Sequence, residues 1–268
     1  MPFNRKIIHS LNKRYHQDFL FTEKAGHSPE TSAVLFLLGT SPNKNGSLSD
    51  PCLILTKRSV KVKQPGDLCC PGGRISAHID PFLARLLCLP GTPLTRWPCW
   101  PKWRKKRRQE RRTLALFFAA SLRESFEEIR LNPLGLKLLG PLPSQRLVMF
   151  KRVIYPFVCW VSFQKKFYLN WEVEKIVYIP IKHLLNPSKY ARYRIRVGTV
   201  DTDIHQLPTS DYPCFIHEEP DGSEVLWGAT FRIVVDFLAI AYEFKLPDIE
   251  SLPVIPRTLD ENYLTGGE

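Results

Sequence analysis

Residues 113–130 are good helix formers with no Gly or Pro, and Asn132-Pro133 ends the run. A helix of that length has to bury one face. Ala120, Leu122, Phe126 and Ile129 supply a partly apolar side that can pack on a sheet. The sheet itself is legible on either side of the helix. Residues 33–38 form a short apolar run that fits a buried strand, 40–50 a polar loop, and 51–56 a second strand and hairpin partner. Pro71-Gly72-Gly73 reads as a tight turn at the end of the next short strand. Residues 136–139, 148–163, 176–179, 193–199 and 213–217 read as extended. A short helix falls at 181–185, and Asp221-Gly222 is a turn signal. Residues 229–244 predict a buried amphipathic helix, with Trp227 expected in the core beside it. Short strands interleaved with two or three helices predict an α/β or α+β domain.

The expected organisation is a weak amphipathic N-terminal helical extension over 1–25, a main domain over 26–250, and an irregular tail over 251–268. Apolar residues at 44% and charged residues at 24% are ordinary for a globular protein, and no apolar run has the ~20 residues of a membrane span. A secretory signal is not expected. Seven cysteines at irregular spacings give neither a disulfide framework nor a paired zinc motif, so reduced core thiols in a cytoplasmic protein are the expectation. The net charge of +12 is local. Between residues 82 and 118 there are ten basic residues and one acid, Glu110, so this stretch carries +9 and leaves +3 for the rest.

Chemistry concentrates on the helix. Arg123, Glu124, Glu127 and Glu128 place three carboxylates at i, i+3 and i+4, on one face, with Arg123 in reach of Glu127. Like charges at that spacing repel, and a hard divalent cation reverses the sign, which suits Mg²⁺ or Mn²⁺. Taken alone, an acidic face is more often a solvated helix surface.

Arg-Glu-x-x-Glu-Glu on a helix, preceded by Pro-Gly-Gly, resembles the signature of the Nudix hydrolases. The resemblance implies a Nudix-like α/β/α sandwich with a mixed sheet. It implies metal ligation by Glu124, Glu127 and Glu128, an orienting role for Arg123, and loop-shaping by Gly72 and Gly73. Leu55-Thr56-Lys57-Arg58-Ser59, the stretch from Gln64 to Gly73, Glu172-Val173 before 176–181, and Leu226-Trp227-Gly228-Ala229-Thr230 are similar to the coenzyme A pyrophosphatase branch of that family. The likeness runs over about 33–246. The implied activity is metal-dependent attack of water on a diphosphate linkage in a nucleoside diphosphate derivative, coenzyme A or a related compound. Glu172 is a candidate general base, and an exposed acid beside Glu174 and Lys175 is its alternative. Lys57 and Arg58 are candidate phosphate contacts, although one of two neighbours on a strand normally faces solvent.

The pattern is also interrupted. The family's arginine follows its box glycine by fourteen residues, whereas Arg123 lies fifty after Gly73, which implies about thirty-six extra residues inside the Nudix loop. Counted back from Arg123, the box's first glutamate falls on Ala115; its late glycine falls on Arg130. Gln64 and Cys70 replace the branch's usual His and Phe. The extra segment, 76–114, holds Pro81, Pro90, Pro93, Pro98 and Pro101 with Trp97, Trp100 and Trp103, and reads as an insertion or lid. Three roles are open to it: clamping substrate phosphates, binding nucleic acid through 96–112 with stacked tryptophans, or packing its tryptophans on the domain. Attachment to an anionic membrane surface is a minor alternative beside these three, because the helix has charge but a poor apolar face. The rival to an enzyme is therefore a non-catalytic module of the same fold that binds nucleic acid or a protein through this insertion.

Overall fold

A computed structural model describes residues 2–14, 31–41, 50–105, 108–147, 152–197, 209–259 and 263. Its elements in chain order begin with α1 (Pro2–Arg14), β1 (Thr31–Thr40), β2 (Pro51–Arg58), β3 (Leu68–Cys69), β4 (Gly72–Arg74), α2 (Asp80–Leu87), α3 (Trp100–Arg104) and α4 (Arg108–Ile129). They continue with β5 (Leu136–Pro141), β6 (Gln145–Leu147), β7 (Arg152–Val161), β8 (Val173–Pro180), α5 (Ile181–Leu184), β9 (Tyr190–Val197), β10 (Thr209–Glu219), β11 (Gly222–Leu226), α6 (Gly228–Tyr242) and β12 (Val254–Leu259). The expected loop at 40–50 lies mostly outside the described residues, as do 15–25, 148–151 and 198–200.

The main sheet orders β3-β2-β1-β7-β5, with β4 on β1, β6 on β7 and β8 on β2. Only β1 and β7 run parallel, so the sheet is mixed. Strand β1 shows why it is covered on both sides. Ala33, Leu35 and Leu37 point into a core shared with α4, Trp97, Trp100 and Trp103, and Val34, Phe36 and Leu38 into a core shared with α1 and α6. Alternation with apolar residues on both faces is what a central strand between two helical layers requires. The expected α/β/α sandwich is what the chain forms. A second, four-stranded sheet orders β11-β10-β9-β12.

Three local expectations need correction. Gly72 and Gly73 are not a turn. They open β4, paired to Val34 and Ala33 of β1. Gly72 has φ 141°, and a Cβ there would lie 2.4 Å from the Ala33 carbonyl oxygen, so only glycine allows this approach. The tail is not irregular either, because β12 pairs in parallel with β9. Trp227 is half-buried rather than sealed in the core, with its indole N–H donated to Asp67 Oδ1 at 3.0 Å.

The segment 76–114 differs most from expectation. Pro81 and Pro101 stand in the first turns of α2 and α3, where a missing N–H costs nothing. Thr92 and Thr95 donate to the Leu87 and Leu89 carbonyls at 2.5 and 2.9 Å and close the turn after α2. Trp97 is 2% exposed and donates its indole N–H to Leu139 at 3.0 Å. Trp100 and Trp103 are buried with it, so a loose lid, or a row of tryptophans open to bases, is ruled out. Helix α4 starts at Arg108, with Arg108, Arg111 and Arg112 on its first turns, while Arg104 ends α3 and Lys105 follows it. All seven cysteines are free thiols, and only Cys88 is exposed. No helix among the described residues is long and apolar enough to cross a membrane.

Because Trp97 anchors this segment in the core, Trp97→Ala is expected to lower stability by about 3–5 kcal/mol. Urea unfolding measures it, and a cost under about 1 kcal/mol would fit a detached lid instead.

Candidate active site

Helix α4 comes down on β4 along the line of the two glycines. A Cβ on Gly73 would stand 2.6 Å from the Glu124 carboxyl carbon, so that carboxylate lies directly against the glycine backbone. The Gly72 N–H donates to Glu128 Oε2 at 3.2 Å. Glu124 and Glu128 are thus held at one strand edge by the absence of side chains there.

Glu127 is placed differently. Its side chain is 52% exposed and accepts from Arg123 Nη1 at 3.2 Å, the i, i+4 contact anticipated from spacing. Phe126 breaks the expected apolar face. It is exposed, with the Arg130 guanidinium 5.0 Å over its ring, while Ser121 and Ser125 occupy the buried side.

Arg123 is the centre of the arrangement. Its Nε and Nη2 donate to the two oxygens of Asp80 at 2.8 and 3.1 Å, Nη2 also to the Arg74 carbonyl at 2.9 Å, and Nη1 stands 3.0 Å from Glu124 Oε1. These charge-assisted bonds, led by Asp80, raise the arginine's pKa further above its ordinary value. Asp80 is fully buried and also accepts from the Ser76 N–H at 2.6 Å. Sequence reading missed Asp80. It lies seven residues after Gly73, at the start of α2 and inside the segment 76–114 that reads in sequence as an insertion or lid. An acid just ahead of Pro81 was the available signal. The other departure is absorbed locally, since Arg130 takes φ 52° and caps α4 in the left-handed conformation a glycine would adopt at less cost.

Burial dominates the electrostatics. It pushes Glu128 up to about 8 against one N–H bond from Gly72, and the charges of Glu124 and Glu172 push the same way. Glu124 is also raised, by burial first, with Arg123 opposing. Glu172 therefore lies within electrostatic reach of Glu128. Its oxygen accepts from Asn170 Nδ2 at 3.3 Å, and the Asn170 N–H is bonded to the Glu128 carbonyl at 2.8 Å.

The Lys57–Arg58 pair divides. Lys57 is bound to Glu174 and Glu224 at 3.2 and 3.1 Å, in a network where Lys175 meets Glu224 and Glu219. It ties β2 and β8 to the second sheet. Arg58 donates Nε to the Lys63 carbonyl at 2.7 Å, and its charge is felt by Glu128 and Asp67. Asp67, raised by burial, accepts from Trp227 and, at 2.6 Å, from Tyr263. His183 and His217 have ring centroids 6.3 Å apart, and His205 lies outside the described residues.

Among the described residues, no three His, Cys, Asp or Glu side chains close into a ready cation cage. What is present is the half-buried pair Glu124–Glu128. Mg²⁺ typically binds through one or two carboxylates together with water and substrate phosphate, so the pair suits such an ion.

No family model matches the chain, and no curated protein does. Some solved structures overlap it in part. A Nudix hydrolase from M. smegmatis, RenU, is 12% identical over 58% of this chain and 73% of its own, at a TM-score of 0.36. A C. elegans Ap4A hydrolase binary complex is 10% identical over 58% and 82%, at 0.36. The Nudix domain of Shewanella oneidensis NrtR, complexed with ADP ribose, is 14% identical over 65% and 85%, at 0.34. Overlaps of this extent decide neither a family nor an activity.

Two outcomes follow from the geometry. Asp80→Ala leaves Arg123 without its buried partner and is expected to cost about 3–5 kcal/mol in denaturant unfolding. A loss below about 1 kcal/mol would show the pair to be dispensable. The raised pKa of Glu128 favours its protonated form in the folded protein. In chelator-treated protein its contribution is complete below pH 4.5 and is lost as pH rises through about 8. Calorimetry should show the midpoint falling across that window and Glu128→Gln flattening the fall; an equal slope in both proteins would contradict the assignment.

Proposed function

We propose that the chain is a Nudix-type hydrolase that uses Mg²⁺ or Mn²⁺ to cleave a diphosphate linkage in a nucleoside diphosphate derivative, with coenzyme A or a related compound as the first substrates to try. The observation that carries it is the placement of Glu124 and Glu128 against Gly73 and Gly72 by an arginine locked to Asp80. A solvated acidic helix face would need none of this. The sequence resemblance supports the same reading.

In this reading Glu124 and Glu128 are the principal metal ligands, and the bound ion would neutralise phosphate charge. Glu127, hydrogen-bonded to Arg123, is the third carboxylate of the set and the least committed to the glycine edge. Arg123 fixes the direction of Glu124, and the Gly72 N–H fixes Glu128. Glu172, bonded by Asn170 and close enough for its charge to act on Glu128, is the group that takes a proton from the attacking water. Arg58, the member of its pair felt by Glu128, is the phosphate contact; Lys57 is occupied by Glu174 and Glu224. The nucleic-acid alternative loses its stacking platform, because the three tryptophans that would form it are buried.

With Mg²⁺ or Mn²⁺, phosphate-containing products are expected from a panel of nucleotide sugars, dinucleoside polyphosphates and coenzyme A. Glu124→Gln and Glu128→Gln should each lower turnover by about a hundredfold or more, and Glu127→Gln by less. A panel left intact with both metals, or a fully active Glu128→Gln, would overturn the proposal.

A further inference from the structure

Helix α2 packs on α4 through Ala84, with Leu83 and Leu87 half-buried, and its other side is exposed. On that side Ile79, Phe82, Leu86 and Leu89 are 51%, 60%, 41% and 54% exposed. Their spacing of three, four and three makes one continuous stripe along the helix and its two flanks. A monomer with a well-packed core has no folding reason to line up four large apolar side chains in water.

The stripe runs into the basic segment. Asp80 at the start of α2 meets Arg123, and Cys88, just past its end, feels the charge of Arg111, so α2 lies antiparallel to α4 with its C-terminal end at the basic turns. Arg111 Nη1 donates to the Arg104 carbonyl at 3.2 Å, which brings the end of α3 to the same place. Lys102, Arg104, Lys105, Arg108 and Arg112 are exposed there, and Arg85 stands beside the stripe itself. The apolar face that the sequence lacked on the basic helix is supplied by its neighbour.

We infer that α2 and the basic end of α4 form a docking surface for an anionic lipid bilayer. Ile79, Phe82, Leu86 and Leu89 enter the boundary between headgroups and acyl chains, and the arginines and lysines face the lipid phosphates. A phosphodiester backbone would satisfy the charges and leave the apolar stripe in water, while the tryptophans that could stack bases are buried. The apolar side is a ridge of one eight-residue helix, about 12 Å long, rather than a groove shaped for a peptide. A bilayer surface answers the ridge and the predominantly positive charge, in which Glu110 is the one acid between residues 82 and 118, together. This surface is independent of the hydrolase proposal.

Flotation of the full chain with vesicles tests it. Binding is expected to vesicles of phosphatidylcholine and phosphatidylglycerol in equal parts, not to phosphatidylcholine alone, and to weaken as salt is raised. Phe82→Ser combined with Leu86→Ser should lower binding by about tenfold or more without moving the thermal midpoint, since both side chains are exposed. Lys102→Gln with Lys105→Gln and Arg108→Gln should lower it by a comparable factor. The proposal is overturned by absence of flotation with the anionic vesicles, or by binding that the Phe82/Leu86 variant retains in full. A concentration-dependent dimer abolished by that variant, without flotation, would overturn it in favour of a second copy.

Discussion

One guanidinium holds three elements of this molecule in register. Arg123 on α4 bonds both oxygens of Asp80 on α2 and the Arg74 carbonyl on β4, and still reaches Glu124 and Glu127 on its own helix. A planar fork of donors is the group that can do this, because a lysine would offer a point charge without fixed directions. Asp80 is fully buried, so the pair is desolvated and its geometry is strongly enforced. The position of Glu124 against Gly73 depends on it. So does the need for the segment after Asp80 to fold, since α2 aims that carboxylate.

Much of the fold was legible in the sequence. The two-faced burial of β1 follows from an unbroken apolar run, and the hairpin to β2, the strand pairs after α4 and the Asp221-Gly222 turn follow from local signals. The glutamate spacing and the glycine pair located the candidate site. What stayed hidden was long-range. Asp80 and Arg123 are separated by 43 positions, and nothing local marks them as partners. Proline density suggested an insertion or lid without regular core elements in 76–114 because prolines were counted without their helical positions, where Pro81 and Pro101 are well tolerated. Phe126 was misplaced because the faces of an α-helix drift along its length, and the buried line runs through Phe118, Ser121, Leu122, Ser125 and Ile129. Strand β12 was missed because Pro253 and Pro256 flank and interrupt it; a parallel edge strand accepts that.

The second sheet gives the site a rear wall. Asp67, in the loop before β3, accepts from Trp227 at the start of α6 and from Tyr263 beyond β12, and the Gln64 N–H bonds the Tyr263 carbonyl at 2.8 Å. The loop that leads to the glycine pair is thereby tied to the far end of the chain. Lys57 and Lys175 do the same from β2 and β8, each bridging to Glu224 on β11. Lys57, which looks available for phosphate in the sequence, is spent on joining the sheets, whereas the charge of Arg58 acts on Glu128.

The ion pair closes a long stretch of chain on itself, with Asp80 at the start of α2 and Arg123 on α4. Closing a loop of 43 rather than about eight residues between such anchors adds only about 1.5 kcal/mol of chain entropy, because that cost grows with the logarithm of length. The anchoring therefore turns this point of the chain into a splice position, where an evolving lineage could gain, trade or shorten a whole helical hairpin while leaving the carboxylate cluster in place.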